Sequence, residues 1–192
     1  MSSRGSEAVP ALDRKRQISY FARALGAARS SDPTAVRSEI AHLDEIEAKL
    51  TASKDDYWAG QTRIQKQAAI AWVRFAEGQR DASIAAMRGA ADLDDASEKN
   101  VAMENKLVSI RTLLAELYLV AGMSKEALVE FEASDKVMPN RFRTVAGAAS
   151  AARATGSVEA AKRYYRELTG LAVGGDGDRS EVAEARTYLA QN

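Results

Sequence analysis

Two glycines, Gly122 and Gly156, stand 34 residues apart, and the interval between them holds two runs of apolar residues at helical spacing. A period of that length filled by a helix pair constrains the fold more than any other feature of the chain. Such a pair cannot bury its apolar side alone and must stack on a neighbouring pair. Gly78 lies 44 residues before Gly122, one period plus ten extra residues.

The rest of the chain carries the same helical punctuation. Residues 1–9 are small and polar and read as a disordered tail. A helical pattern with Leu12, Ile18, Phe21, Ala22 and Leu25 follows, to about Arg29. Asp32 is placed to cap the next helix and Pro33 suits its first position; Ile40, Leu43, Ile46 and Leu50 form its apolar stripe. Residues 10–52 are therefore expected to be an N-terminal helical hairpin. Ser53 and Asp56 stand in a capping-box relation ahead of a third helix that should end near Gly78. A fourth helix turns Ile84, Met87, Ala90 and Ala91 inward, and residues 92–103 lose the periodicity and read as a connection. Ile110, Leu113, Leu114, Leu117 and Tyr118 fall at i, i+3, i+4, i+7 and i+8. Further helices are expected between Gly122 and Pro139 and over about 141–154, 158–172 and 179–189. The count is nine helices and no strand.

Composition agrees. Of 192 residues 46% are apolar but only 6% aromatic, alanine making up much of the difference, and alanine is the best helix former. Lysine plus arginine and aspartate plus glutamate are 27 each, so no net field draws the chain to nucleic acid or anionic lipid. The basic run Asp13–Gln17 reads as a solvated helix face. With no cysteine there is no disulfide framework, thiolate metal site or cysteine nucleophile. Neither a signal peptide nor a membrane span is visible. A cytoplasmic location is the default expectation, replaced by an exported one if the sequence is cut from a longer chain.

On a 34-residue frame starting at Val108, the chain places Leu114, Ala115, Tyr118, Ala127, Phe131 and Pro139 at set positions. This pattern resembles the tetratricopeptide repeat, with Arg111 where that family has tryptophan. The next frame, from Phe142, keeps Ala149, Gly156, Ala161 and Tyr165. Aligned on Gly78, Ile70, Ala71, Ser83, Met87 and Ala90 form a degenerate copy with a ten-residue insertion, expected as an exposed loop around 94–103. The resemblance covers about residues 55–172. It implies an all-α fold, a right-handed superhelix of antiparallel helix pairs over 53–192 with a terminal capping helix, and the hairpin as a diverged unit or N-terminal cap. Within the frame Ser124 is expected to cap its helix and Phe131 to fill the gap toward the next unit.

The same resemblance implies a concave groove lined by the first helix of each pair: Gln65, Ala68, Trp72 and Phe75, then Thr112, Glu116 and Leu119, then Arg143, Ser150 and Arg153. Trp72 and Phe75, three apart, read either as an aromatic rim or as core. One subgroup of the family clamps the carboxylate of chaperone tails with lysines and asparagines; Thr112, Glu116, Ala146 and Ser150 occupy those positions here, which argues against that role.

Other constellations are weak. Asp176 and Asp178 hint at a calcium loop but lack its later ligands, since Glu181 and Thr187 stand where a glycine and a glutamate are needed; a turn in which Asp178 and Glu181 cap the last helix is the better reading. Asp92, Asp94, Asp95 and Glu98 read as a polar loop. His42 is the only histidine and sits on a charged helix. No phosphate loop, nucleophile elbow or zinc-protease motif occurs. The expectation is a non-catalytic module, without cofactor or metal, that binds a protein or peptide and not nucleic acid. The alternative is a structural or self-associating solenoid segment, for which a homo-oligomer is one outcome.

Overall fold

The computed structural model describes residues 8–30, 32–97, 107–175 and 179–192. Among them every regular element is a helix: α1 (Ala8–Arg29), α2 (Pro33–Ala52), α3 (Asp56–Ala76), α4 (Arg80–Ala96), α5 (Ile110–Val120), α6 (Ser124–Val137), α7 (Phe142–Ala154), α8 (Val158–Leu171) and α9 (Ser180–Gln191). The expected boundaries hold to within a few residues, with two differences. The helix α1 begins at Ala8, inside the expected tail. The helix α4 runs on to Ala96, so Asp92, Asp94 and Asp95 lie in its last turns rather than in a loop. Glu98 and most of the expected ten-residue excursion lie outside the described residues.

The chain divides into two compact units, Met1–Ile110 and Arg111–Asn192. In the first, α1 packs on α2, α2 on α3 and α3 on α4, and α1 also meets α3. Ala24 of α1, Val36 of α2 and Ala69 and Val73 of α3 form one core cluster; Ile46, Leu50 and Ala59 form another, flanked by Tyr20 and Trp58. The expected hairpin is thus continuous in packing with α3. In the second unit α6 packs on α7, α7 on α8 and α8 on α9. The stripe of α5 is buried as expected, from Ile110 to Tyr118.

The turns explain where sequence capping rules succeed and fail. Asp32 caps α2 as expected, its Oδ1 accepting from the Ala35 N–H at 3.0 Å. Gly78, Gly122 and Gly156 have φ of 79°, 75° and 73°, the left-handed region that favours glycine. Each ends its helix in the two-bond closure of a Schellman motif. The N–H of the residue after the glycine reaches back five residues: Gln79 to Arg74, Met123 to Tyr118 and Ser157 to Ala152, at 2.8, 2.8 and 2.9 Å. Those same three residues are the N-caps of α4, α6 and α8, and none uses a side chain. Ser124 is therefore the first residue inside α6, not its cap. The turn between α2 and α3 repeats the device with Lys54 at φ 59°. Asp55 bonds back to Leu50 at 2.9 Å and caps α3 without its side chain. The expected capping box fails because Ser53 belongs to the end of α2, where its hydroxyl donates to the Leu50 carbonyl. At α9 the cap is Arg179, again without a side-chain bond, and Asp178 lies outside the described residues.

Candidate functional site

The groove residues expected in the first unit lie on α3. Ala68 and Trp72 are buried, the tryptophan to 7% exposure, while Gln65 and Phe75 are half-buried. The Trp72 and Phe75 rings meet edge to face at 6.2 Å, and the Arg29 guanidinium lies 5.8 Å from the Trp72 centroid. Of the two sequence readings, core is the correct one for Trp72, because a large ring at helical spacing beside other apolar positions gains most from being covered. This stretch of α3 offers no open aromatic rim.

In the second unit the residues separate into a buried knot and an accessible row. Thr112, expected to line the groove, is instead 1% exposed. Its hydroxyl shares hydrogen bonds with Ser134 at 2.8 Å and Thr144 at 3.0 Å, joining α5, α6 and α7. A threonine drawn inward satisfies its hydroxyl there and fixes the register of three helices. Arg111 of α5 pairs with Glu130 of α6 at 2.7 Å.

The accessible row crosses α5, α7 and α9. The Glu116 carboxylate of α5 takes a two-pronged contact from the exposed Arg143 of α7, with Nη2 to Oε2 at 2.5 Å. Leu119 and Ser150 are half-buried and Arg153 is exposed. Arg153 pairs with Glu184 of α9 at 3.0 Å, and Arg179 at the start of α9 lies 4.5 Å above the Phe142 ring of α7. Of the expected groove residues, Glu116 and Arg143 meet directly, while Leu119 lies on α5 with Glu116 and Ser150 and Arg153 lie on α7 with Arg143.

Glu184 and the Tyr165 hydroxyl complete this row and were not anticipated. Tyr165 donates to Glu184 Oε1 at 2.6 Å, and its ring tilts against Tyr188 at 4.8 Å. Burial, then the bond to Glu184, pushes the phenol well above its ordinary value. The frame contained the signal. Tyr165 is the counterpart of Phe131 one period on, and a phenol at a position otherwise filled by phenylalanine asks for an acceptor on the next helix. On the opposite side of the pair, burial and a 2.7 Å bond to Glu132 raise Tyr164 to about 12.

Among the described residues no three histidine, cysteine, aspartate or glutamate side chains converge as a metal site, and no helix is long and apolar enough to cross a membrane. His42 is half-buried on α2 and stacks on Tyr20 of α1 at 4.6 Å. No protein-family model matches the chain, and no curated protein matches it.

Proposed function

We propose that the chain is a non-catalytic interaction module of tetratricopeptide-like helix pairs wound as a right-handed superhelix. In this reading it holds a protein or peptide segment along the α5–α7–α9 face of the second unit. The observation that carries the reading is the two ion pairs Glu116–Arg143 and Arg153–Glu184, which join α5 to α7 and α7 to α9. A guanidinium has five donors and a carboxylate engages at most two of them. Both exposed arginines therefore keep donors for the carbonyls or acidic side chains of a bound segment, with Leu119 as an apolar contact. The reading needs no cofactor, metal or nucleic acid.

A second reading, a structural or self-associating solenoid segment, is favoured by the burial of Ala68, Trp72 and Thr112, which removes part of the family's usual groove from access. Trp72→Ala is for that reason a poor probe, since it would hollow the core. The discriminating experiment compares the full chain with the Arg143→Glu, Arg153→Glu double variant, after circular dichroism shows equal helicity. Loss of a specific captured protein by the variant supports the interaction reading. Equal capture by both, with a concentration-dependent oligomer in sedimentation, supports the structural one.

A further inference from the structure

The last helix is held differently from the two it joins. The buried side chains of α9 are Val182 and Ala185 alone, whereas α7 buries Val145 and five alanines and α8 buries Ala161, Tyr164, Tyr165 and Leu168. Hydrophobic attachment follows the apolar surface removed from water, so α9 has the weakest such hold of the three.

Its remaining attachment centres on one residue. Glu184 Oε1 accepts from the Tyr165 hydroxyl of α8 at 2.6 Å and from Arg153 Nη1 of α7 at 3.0 Å. A single carboxylate oxygen therefore ties α9 to both α7 and α8. Tyr188, one turn further along α9, lays its ring against Tyr165 at 4.8 Å, and Arg179 at the N-cap lies 4.5 Å above the Phe142 ring.

The two bonds to Glu184 are unequal. The Arg153 side chain is half exposed, and an ion pair in that setting contributes little. Tyr165 is 1% exposed, so with α9 closed its phenol depends on Glu184, and removing the carboxylate would strand a buried donor. With α9 lifted away the same phenol reaches water. Glu184 thus favours the closed state over the open one, which is the property of a latch.

We propose that α9 is a strap that opens as a unit from α7 and α8 while those helices stay folded, with Glu184 as its latch. Opening uncovers the Tyr165 hydroxyl and the Phe142 ring and releases the Arg153 guanidinium. The strap therefore governs access to these three groups. It does so whether or not a peptide binds the α5–α7–α9 face, since the device rests on the closed contacts alone.

Native-state hydrogen exchange on the full chain tests this. The amides of α9 should exchange through an opening at least about tenfold more populated than the one that exposes α7. Glu184→Ala should raise exchange in α9 by a further factor of about ten or more, the effect of losing a hydrogen bond to a charged group, and leave α7 unchanged. Alanine is the better helix former, so such a rise cannot come from helix propensity. Tyr165→Phe removes the donor that would be stranded and should raise exchange less. In that background Glu184→Ala should have a smaller effect than in the parent, a coupling that reports the bond itself. Amides of α9 as protected as those of α7 would overturn the strap. A Glu184→Ala effect of equal size with and without the Tyr165 hydroxyl would overturn the latch.

Discussion

At Gly147, in the middle of α7, alanine would ordinarily be the better residue, by about 0.5–1 kcal/mol in a helix interior. Here packing reverses the preference. A Cβ at this position would lie within 2.8 Å of three ring atoms of Phe131, which is fully buried in α6. Gly147→Ala is expected to destabilise the protein by about 1–3 kcal/mol, the range for overpacking a core. Adding Phe131→Leu should recover part of the loss, as a smaller side chain clears the new methyl. Denaturant unfolding of both variants checks this; an alanine variant as stable as the parent would mean the ring moves freely aside. Phe131→Ala alone should cost about 3–5 kcal/mol. The contact also marks what was readable at this scale. The frame correctly assigned Phe131 the gap toward the next helix pair, because a large apolar residue after a small one recurs there. Gly147 carried no sequence signal, since a glycine among alanines says nothing of which ring rests on it.

The elements themselves were legible because apolar periodicity is a property of each helix alone, and the left-handed turn at Gly122 needs only the glycine to be inferred. The caps were not legible. At Met123 and Asp55 the backbone of one helix end supplies the start of the next, so the serines nearby had no capping to do. The site was half legible for a related reason. Frame position names the helix face, but whether that face is open depends on helices far away in sequence, and so Thr112 went inward while Arg143 stayed out. The turn at Lys54 provides a test at the scale of an element. A non-glycine residue at positive φ costs about 1–2 kcal/mol, and glycine returns roughly half of that through its freer unfolded chain. Lys54→Gly should raise stability by about 0.5–1 kcal/mol, or about 1–4 °C in Tm for a chain of this size. Gly122→Ala should move Tm the other way. A drop in Tm for Lys54→Gly would show that the lysine side chain contributes more than its backbone strain costs.

For the whole molecule the equal numbers of acidic and basic residues leave pH dependence to the few groups whose environment differs from water. On the acid side the shifts oppose one another. Burial acts to raise Glu47, but its bonds from Lys66 and Arg63 outweigh that and hold it below 4.5, so its contribution is lost as pH falls. Glu167 is raised by burial and by the nearby Asp135, so its folded form gains relative to the unfolded chain as pH falls. On the alkaline side the shifts agree. Burial acts to lower Lys66, but Asp44 and Glu47 raise it above 10.5, and its contribution disappears as pH rises through the folded value. Tyr164 and Tyr165 are both raised from 10.0 by burial and by their bonds to Glu132 and Glu184. Above pH 10 the unfolded chain releases these protons while the folded chain keeps them, so stability falls with rising pH. Thermal melts followed by circular dichroism should therefore show a weak dependence through mild acid and a steady decline in Tm above pH 10. The Tyr164→Phe, Tyr165→Phe double variant should start lower at neutral pH, having lost two hydrogen bonds, and decline less steeply above pH 10. An alkaline limb of unchanged slope in that variant would assign the decline to Lys66 and the other lysines instead of to the two phenols that bridge α8 to α6 and α9.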